Sequence, residues 1–189
     1  MKHIWMLLLL VACGTDETNN YITVTGYPEH YAAFDIELRP AVQVFDKHAA
    51  KQGVSSGSVS AIYLEDGELA GNVPERIGVC VRRSDGVNFI QIKSSWWFNA
   101  SEVEQTALML HELCHCAMGC KHRSGQFEAP DGTFISSLMN PVILAKNILA
   151  KYYTVLIEEL FEPKTMENLG LYTHEDHCEE QPNGDLYCY

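Results

Sequence analysis

The feature that most constrains this chain is the run His111-Glu112-Leu113-Cys114-His115-Cys116-Ala117-Met118-Gly119-Cys120-Lys121-His122. On a helix, His111 and His115 stand one turn apart on one face, so both imidazoles reach a single metal ion. Glu112 points close to the same place without being a ligand, the position of a general base for a water at the metal. Gly119 ends the helix, because a residue without Cβ enters the left-handed region cheaply, and the reversed chain brings His122 back to the site. Three neutral nitrogens and one open position make a catalytic centre for one Zn2+.

The helix carrying this run has marked ends. Ser101-Glu102-Val103-Glu104 reads as a capping box, and Ala107, Leu108, Leu110 and Leu113 form the apolar face of a helix predicted over 102–118. Upstream, Phe34, Leu38, Ala41, Val42, Phe45 and Ala49 recur at helical period over 33–51, with Pro40 near the helix start or at a kink and Gln52-Gly53 as the stop. Residues 58–64 alternate, with Val59, Ala61 and Tyr63 on one face, which predicts a strand. Residues 77–83 and 87–93 flank Ser84-Asp85-Gly86, a hairpin signal, and Trp96-Trp97-Phe98 then packs beneath the motif helix. A polar loop, Arg123 to Thr133, leads to Ser137-Leu138-Met139-Asn140-Pro141. A last amphipathic helix over 146–161 uses Leu149, Tyr152, Tyr153, Leu156 and Leu160, leaving Glu158 and Glu159 on a solvated face, with a metal-ligand role as the lesser reading. The predicted class is α+β: a small mixed twisted sheet, an active-site helix and a C-terminal helical subdomain. One domain over 21–189 is expected, with a cleft between 21–118 and 119–189.

Lys2 and His3 precede the apolar run Ile4 to Val11, too short to span a bilayer, so 1–12 reads as a signal peptide. Leu10-Val11-Ala12-Cys13 resembles a bacterial lipobox, which implies cleavage before Cys13 and lipidation of its thiol, with 13–20 as a polar tether. Gly14 after the cysteine points to the outer membrane if the cell is Gram-negative. A formal charge of −12 argues against nucleic acid and against an anionic membrane surface as partners. The expectation is a monomer in the bacterial cell envelope, periplasmic or surface facing, touching the membrane through its lipid anchor only.

Setting Cys13 aside, Cys80, Cys114, Cys116, Cys120, Cys178 and Cys188 form an even set behind an export signal, which reads as disulfides with fifteen possible connectivities. Cys178 and Cys188 flank Gln181-Pro182-Asn183-Gly184-Asp185, a tight-turn sequence that a bridge can span. Cys80 can staple a strand to Cys116. The competing use of Cys114, Cys116 or Cys120 is as zinc thiolates in a closed structural site.

The motif, the glycine turn, His122 and the turn at Met139 together resemble the metzincin clan of zinc metallopeptidases, over roughly residues 34–161. The resemblance implies a metzincin-like zincin fold in which His111, His115 and His122 bind Zn2+ and Glu112 is the base. Met139 would form an apolar floor, and the strand 77–83 would be the cleft edge against which a peptide or protein substrate lies. The implied activity is endopeptidase-type hydrolysis of peptide bonds. One departure stands out. The metzincin pattern is HExxHxxGxxH, whereas Gly119 and His122 each fall one residue late here, giving HExxHxxxGxxH. His174 and His177 are reserve ligands, and Tyr152, Tyr153 and Arg123 are candidate oxyanion donors. The alternative function is a non-catalytic zinc-binding surface lipoprotein on the same scaffold; a disulfide-stapled adhesion module with packed histidines is a third.

Overall fold

The computed structural model describes residues 29–71, 74–161, 174–175 and 178–188; the expected signal peptide, Cys13, the tether and His177 lie outside them. In chain order the elements are α1 (Arg39–Ala49), β1 (Ala61–Glu65), β2 (Gly78–Arg82), β3 (Asn88–Lys93), the single turn α2 (Ser94–Trp97), α3 (Glu102–Leu113), β4 (His122–Arg123), β5 (Gln126–Glu128), β6 (Phe134–Ser136), α4 (Lys146–Phe161), β7 (His174–Glu175), β8 (Cys178–Glu180) and β9 (Leu186–Cys188). Among the described residues no helix is long and apolar enough to cross a membrane.

Pro40 decides where α1 begins. Proline lacks an N–H and fits the first helical turn, so the helix starts at Arg39 and not at residue 33. Residues 29–33 form a separate 3-10 turn, and Phe34 bridges in parallel to Ile62 of β1. Ile62, rather than Ala61 or Tyr63, is the fully buried residue of that strand. β2 and β3 form the expected antiparallel hairpin, with Gly86 at φ 86° in its turn. β1 joins β3 in parallel, which makes the sheet mixed.

β2 is not the edge of that sheet. The strand order is β1-β3-β2-β9-β8, and β9 lies antiparallel on the outer side of β2, pairing Cys188 with Cys80, Tyr187 with Val81 and Leu186 with Arg82. The expectation that 77–83 forms an open cleft edge is therefore corrected over Cys80–Arg82. A strand's own sequence does not reveal which remote segment will satisfy its outer backbone groups.

One face of the sheet, through Ile62, Cys80, Ile90 and Ile92, packs against α1, α3 and α4 in a shared core. On the other face Val79 and Val81 meet Leu69, with Ala70, Phe89 and Tyr187 around them. α3 passes through the middle of the core, and every residue from Thr106 to Leu113 is buried. Such all-round burial is what an apolar helix without a polar face requires. Its start is held by the capping box, in which the Ser101 N–H donates to Glu104 Oε2 at 2.8 Å. Trp97 packs in the core and its carbonyl accepts from Gln105 Nε2 at 2.8 Å, whereas Phe98, expected beneath the helix, is 65% exposed.

Candidate metal centre

The spacing of the motif becomes intelligible at the end of α3. At Cys114 the helix widens into a π-helical turn, Cys114–Met118. An i→i+5 turn accommodates one residue more than an α-helical one, and such single turns occur at functional sites. The extra residue between His115 and Gly119 is taken up there. Gly119 follows at φ 70°, in the left-handed region, and the Cys120 N–H returns to the Cys114 carbonyl at 3.0 Å. A Cys114–Cys120 disulfide closes the same loop. The expected Cys80–Cys116 and Cys178–Cys188 bridges are also formed, the first tying β2 to the π turn and the second joining β8 to β9. With Cys114, Cys116 and Cys120 all in disulfides, none offers a thiolate to a metal.

The turn brings three imidazoles together. The Nε2 atoms of His111, His115 and His122 lie 3.0 Å (111–115), 3.0 Å (111–122) and 3.1 Å (115–122) apart, and all three rings are buried. His111 Nδ1 donates to the Leu138 carbonyl at 2.7 Å, and His115 Nδ1 donates to the Cys120 carbonyl at 2.8 Å. Those partners assign the proton of the His111 and His115 rings to Nδ1, which leaves their Nε2 lone pairs facing one another. Burial pushes His111 down to about 4, against the opposing pull of the Leu138 carbonyl. Burial likewise holds His115 well below the usual imidazole range, helped by His111 and His122. Convergent lone pairs without intervening protons repel unless a cation lies among them. Three nitrogens at zinc-ligand distance in tetrahedral geometry stand about 3.3 Å apart, close to the spacing observed. The three side chains fit a metal ion.

Glu112 is buried next to this set, and burial pushes its carboxyl well above the usual range. The Cys80 backbone N–H, which donates to the carboxylate, and the Arg76 charge pull it back down. Oε2 has no hydrogen-bond partner among the described residues and is free to accept a proton. Room for the carboxylate comes from Gly78: a Cβ there would stand 2.5 Å from Glu112 Oε1 and 3.0 Å from its Cδ and Cγ. His111 and Glu112 line a cavity of about 540 Å³ walled by Trp96, Leu108, Leu138, Val142 and Leu149, with Glu75 and Arg76 on its polar side.

Met139 is fully buried within a knot of backbone bonds. Its carbonyl accepts the N–H of Arg123, the residue after His122, at 2.8 Å. Its own N–H donates to Ser137 Oγ at 3.0 Å, and Ser137 Oγ donates to Glu159 Oε2 at 2.7 Å. Glu159 also pairs with Arg123 Nη1 at 2.5 Å. Glu158 is exposed as expected, but Glu159 is 2% exposed, so its place on a solvated face is corrected. Arg123 is thus committed to α4. Tyr152 Oη donates to Asp131 at 2.9 Å and accepts from Lys151 at 2.6 Å, and Tyr153 lines a different cavity beside His48 and Phe161. None of these three lines the cavity at His111. The reserve ligand His174 stands on β7 with its backbone paired to Arg123.

A second group of reactive residue types proves structural. His30 Nε2 lies 3.1 Å from Ser56 Oγ and 3.8 Å from Asp46 Oδ2, and Asp46 takes the Ser56 hydroxyl, the Ser56 N–H and the Tyr31 hydroxyl. Ser56 is fully buried, so its hydroxyl cannot act as a nucleophile on a solvent-borne substrate. Sequence reasoning did not find Gly78 or Arg76 beside the metal centre, and the lesser reading of Glu159 as a ligand gives way to its pairing with Arg123 and Ser137. Only Gly78 carried a signal, since a glycine opening a strand marks a close approach. In comparisons with known proteins, no family model matches this chain, and no curated protein or solved structure matches it.

Proposed function

We propose that the chain is a zinc peptidase of metzincin type, which hydrolyses peptide bonds at the three-histidine centre. The observation that carries the reading is the convergence of three Nε2 atoms beside a buried carboxylate with one idle oxygen, with His111 and Glu112 lining one apolar cavity. His111, His115 and His122 would hold the ion. Zn2+ bound there supplies Lewis acidity to the attacking water and to the scissile carbonyl. Glu112 takes the water proton on Oε2, while the Cys80 N–H keeps the carboxylate in place. It then gives that proton to the leaving nitrogen as the C–N bond breaks, so the products are a carboxylate and an amine. The cavity beside His111 excludes water from one flank of the reacting bond and accepts an apolar side chain. In the cell, the protein would act in the bacterial envelope, anchored through Cys13.

The test is zinc content and peptide-library cleavage on the soluble form starting after Cys13, with Glu112→Ala and His122→Ala in parallel. One zinc per chain in the parent, kept in Glu112→Ala without cleavage and lost in His122→Ala, is the expected result. A Glu112→Ala variant cleaving at the parental rate would sink the mechanism. Bound zinc with no cleavage by the parent would favour a non-catalytic zinc-binding lipoprotein.

A further inference from the structure

Three things follow one another along β2. Its far end, Arg82 to Cys80, is covered on the outer side by β9. Cys80, opposite Cys188, also gives its N–H to Glu112, and Gly78 leaves the space in which that carboxylate sits. The near end, from Glu75 to Gly78, lines the apolar cavity. Glu112 therefore stands at the junction between a stretch of strand covered by β9 and one on whose outer side no described strand pairs.

A peptide that adds to a sheet edge takes its affinity from backbone hydrogen bonds, and antiparallel pairing is the more stable kind. Aligned antiparallel to β2, as β9 is, a peptide would run from the Arg82 side toward Gly78 and the cavity. Residues on the amino side of its scissile bond would then need the place that Leu186–Cys188 already fills. From Cys80, opposite the last described residue of β9, to Gly78 is two residues, about 7 Å of strand. That length admits about two substrate residues before the chain collides with β9.

The hairpin is built as a wall. Cys178 and Cys188 bridge its two strands, and Cys188 is 2% exposed. Asp185 Oδ1 accepts the Ser84 N–H at 3.0 Å, and Asp185 Oδ2 accepts from Asn183 at 2.9 Å. Tyr187 packs on Leu69, Val79 and Val81, and Glu179 lies 3.8 Å from Arg76. The Asp185–Ser84, Tyr187 and Glu179–Arg76 contacts tie β8–β9 to the β2–β3 hairpin or to the loop before it, and the other two brace the hairpin itself.

We infer that the β8–β9 hairpin closes the amino-side half of the peptide cleft, so that the favoured substrates are peptides cut within about two residues of their N-terminus, the remainder leaving through the apolar cavity. This rests on the peptidase reading and narrows it from endopeptidase to an aminopeptidase or dipeptidyl-peptidase pattern.

The experiment uses the zinc-loaded protein and one peptide sequence, rich in large apolar residues, extended at its N-terminus by zero to six residues, with products identified by mass spectrometry. Release of one- and two-residue fragments is expected, with the rate at a given bond falling at least tenfold once four or more residues precede it. Equal rates at that bond whatever the extension would overturn the inference while leaving the peptidase reading intact. Zinc-loaded protein that cuts no member of the series would refute both. A chain carrying Asp185→Ala and Tyr187→Ala, which loosens the hairpin, should cleave the long peptides at least tenfold faster than the parent does. An unchanged length preference in that variant would remove the hairpin from the explanation.

Discussion

Adding one methyl group at Gly78 tests whether the position of Glu112 matters to chemistry. Gly78 is buried at the start of β2 and does not use a positive φ, so alanine brings no backbone strain of its own. Its Cβ would nevertheless stand 2.5 Å from Glu112 Oε1. Ordinary contact between such atoms is near 3.5 Å, so the carboxylate must retreat by roughly 1 Å. It cannot do so freely, because α3 is buried on every side around it and the Cys80 N–H holds one oxygen. Misplacing a reacting group by about 1 Å costs on the order of 100-fold in rate, equivalent to about 2.7 kcal/mol of barrier. Overpacking should also lower stability by about 1–3 kcal/mol. The assay is kcat and KM for peptide hydrolysis, beside zinc stoichiometry and a thermal melt. The expected outcome is zinc bound as in the parent, a folded protein, and kcat reduced about 100-fold with KM little changed. Shortening the carboxylate by one methylene should relieve the clash, so Gly78→Ala should cost much less in a Glu112→Asp background than in the parent. A Gly78→Ala protein within twofold of the parental kcat, with its zinc in place, would refute the reasoning.

Other outcomes follow from the same structure. Glu159→Ala leaves the buried Arg123 charge without its α4 partner, and loss of one member of a buried pair costs about 3–5 kcal/mol, to be read as a lower denaturant midpoint and weaker zinc retention. In the metal-free protein, His111 has a folded pKa of about 4 against an unfolded value near 6.5, so the unfolded chain binds more protons between those values. Its stability should be fully present above pH 6.5 and fall by about 3 kcal/mol as pH drops toward 4. A melting temperature flat across that window in metal-free protein would count against the burial of a neutral His111. Replacing Cys80 and Cys116 together by alanine removes a cross-link spanning 36 residues. Chain entropy then predicts a loss of about 4 kcal/mol in unfolding experiments.

What the sequence made legible was local. The capping box, the motif helix and the Ser84-Asp85-Gly86 hairpin each depend on residues within a few positions, and each stands where expected. The three histidines were legible as a set because helical spacing and one glycine turn suffice to bring them together. The π turn was not, because widening a helix by one residue leaves no compositional mark; it shows only as a motif that runs one residue long. Glu159 was hidden for a different reason. At helical period it falls beside Tyr152, on the edge of the apolar face of α4, where the pattern does not choose between core and solvent, and only the fold brings Arg123 and Ser137 to meet it. The pairing of β9 on β2 joins segments remote in sequence, so hydrophobic pattern alone could not choose between an open edge and a covered one.

The two bridges at the end of α3 set the order in which such a centre comes into being. Cys114–Cys120 rings His115 within a six-residue separation, and Cys80–Cys116 pins the next residue to the sheet. In small zinc domains the ion itself gathers the ligands, and the chain falls apart when it leaves. Here oxidation can gather them first. The entropy of ordering the loop is then charged to thiol chemistry, and the ion meets a cage already shaped to receive it. Chelation should therefore empty the site without unfolding the chain, and returning metal should restore it at once. Under reducing conditions the same histidines would lack their covalent frame, so an oxidising environment is part of the recipe for the centre.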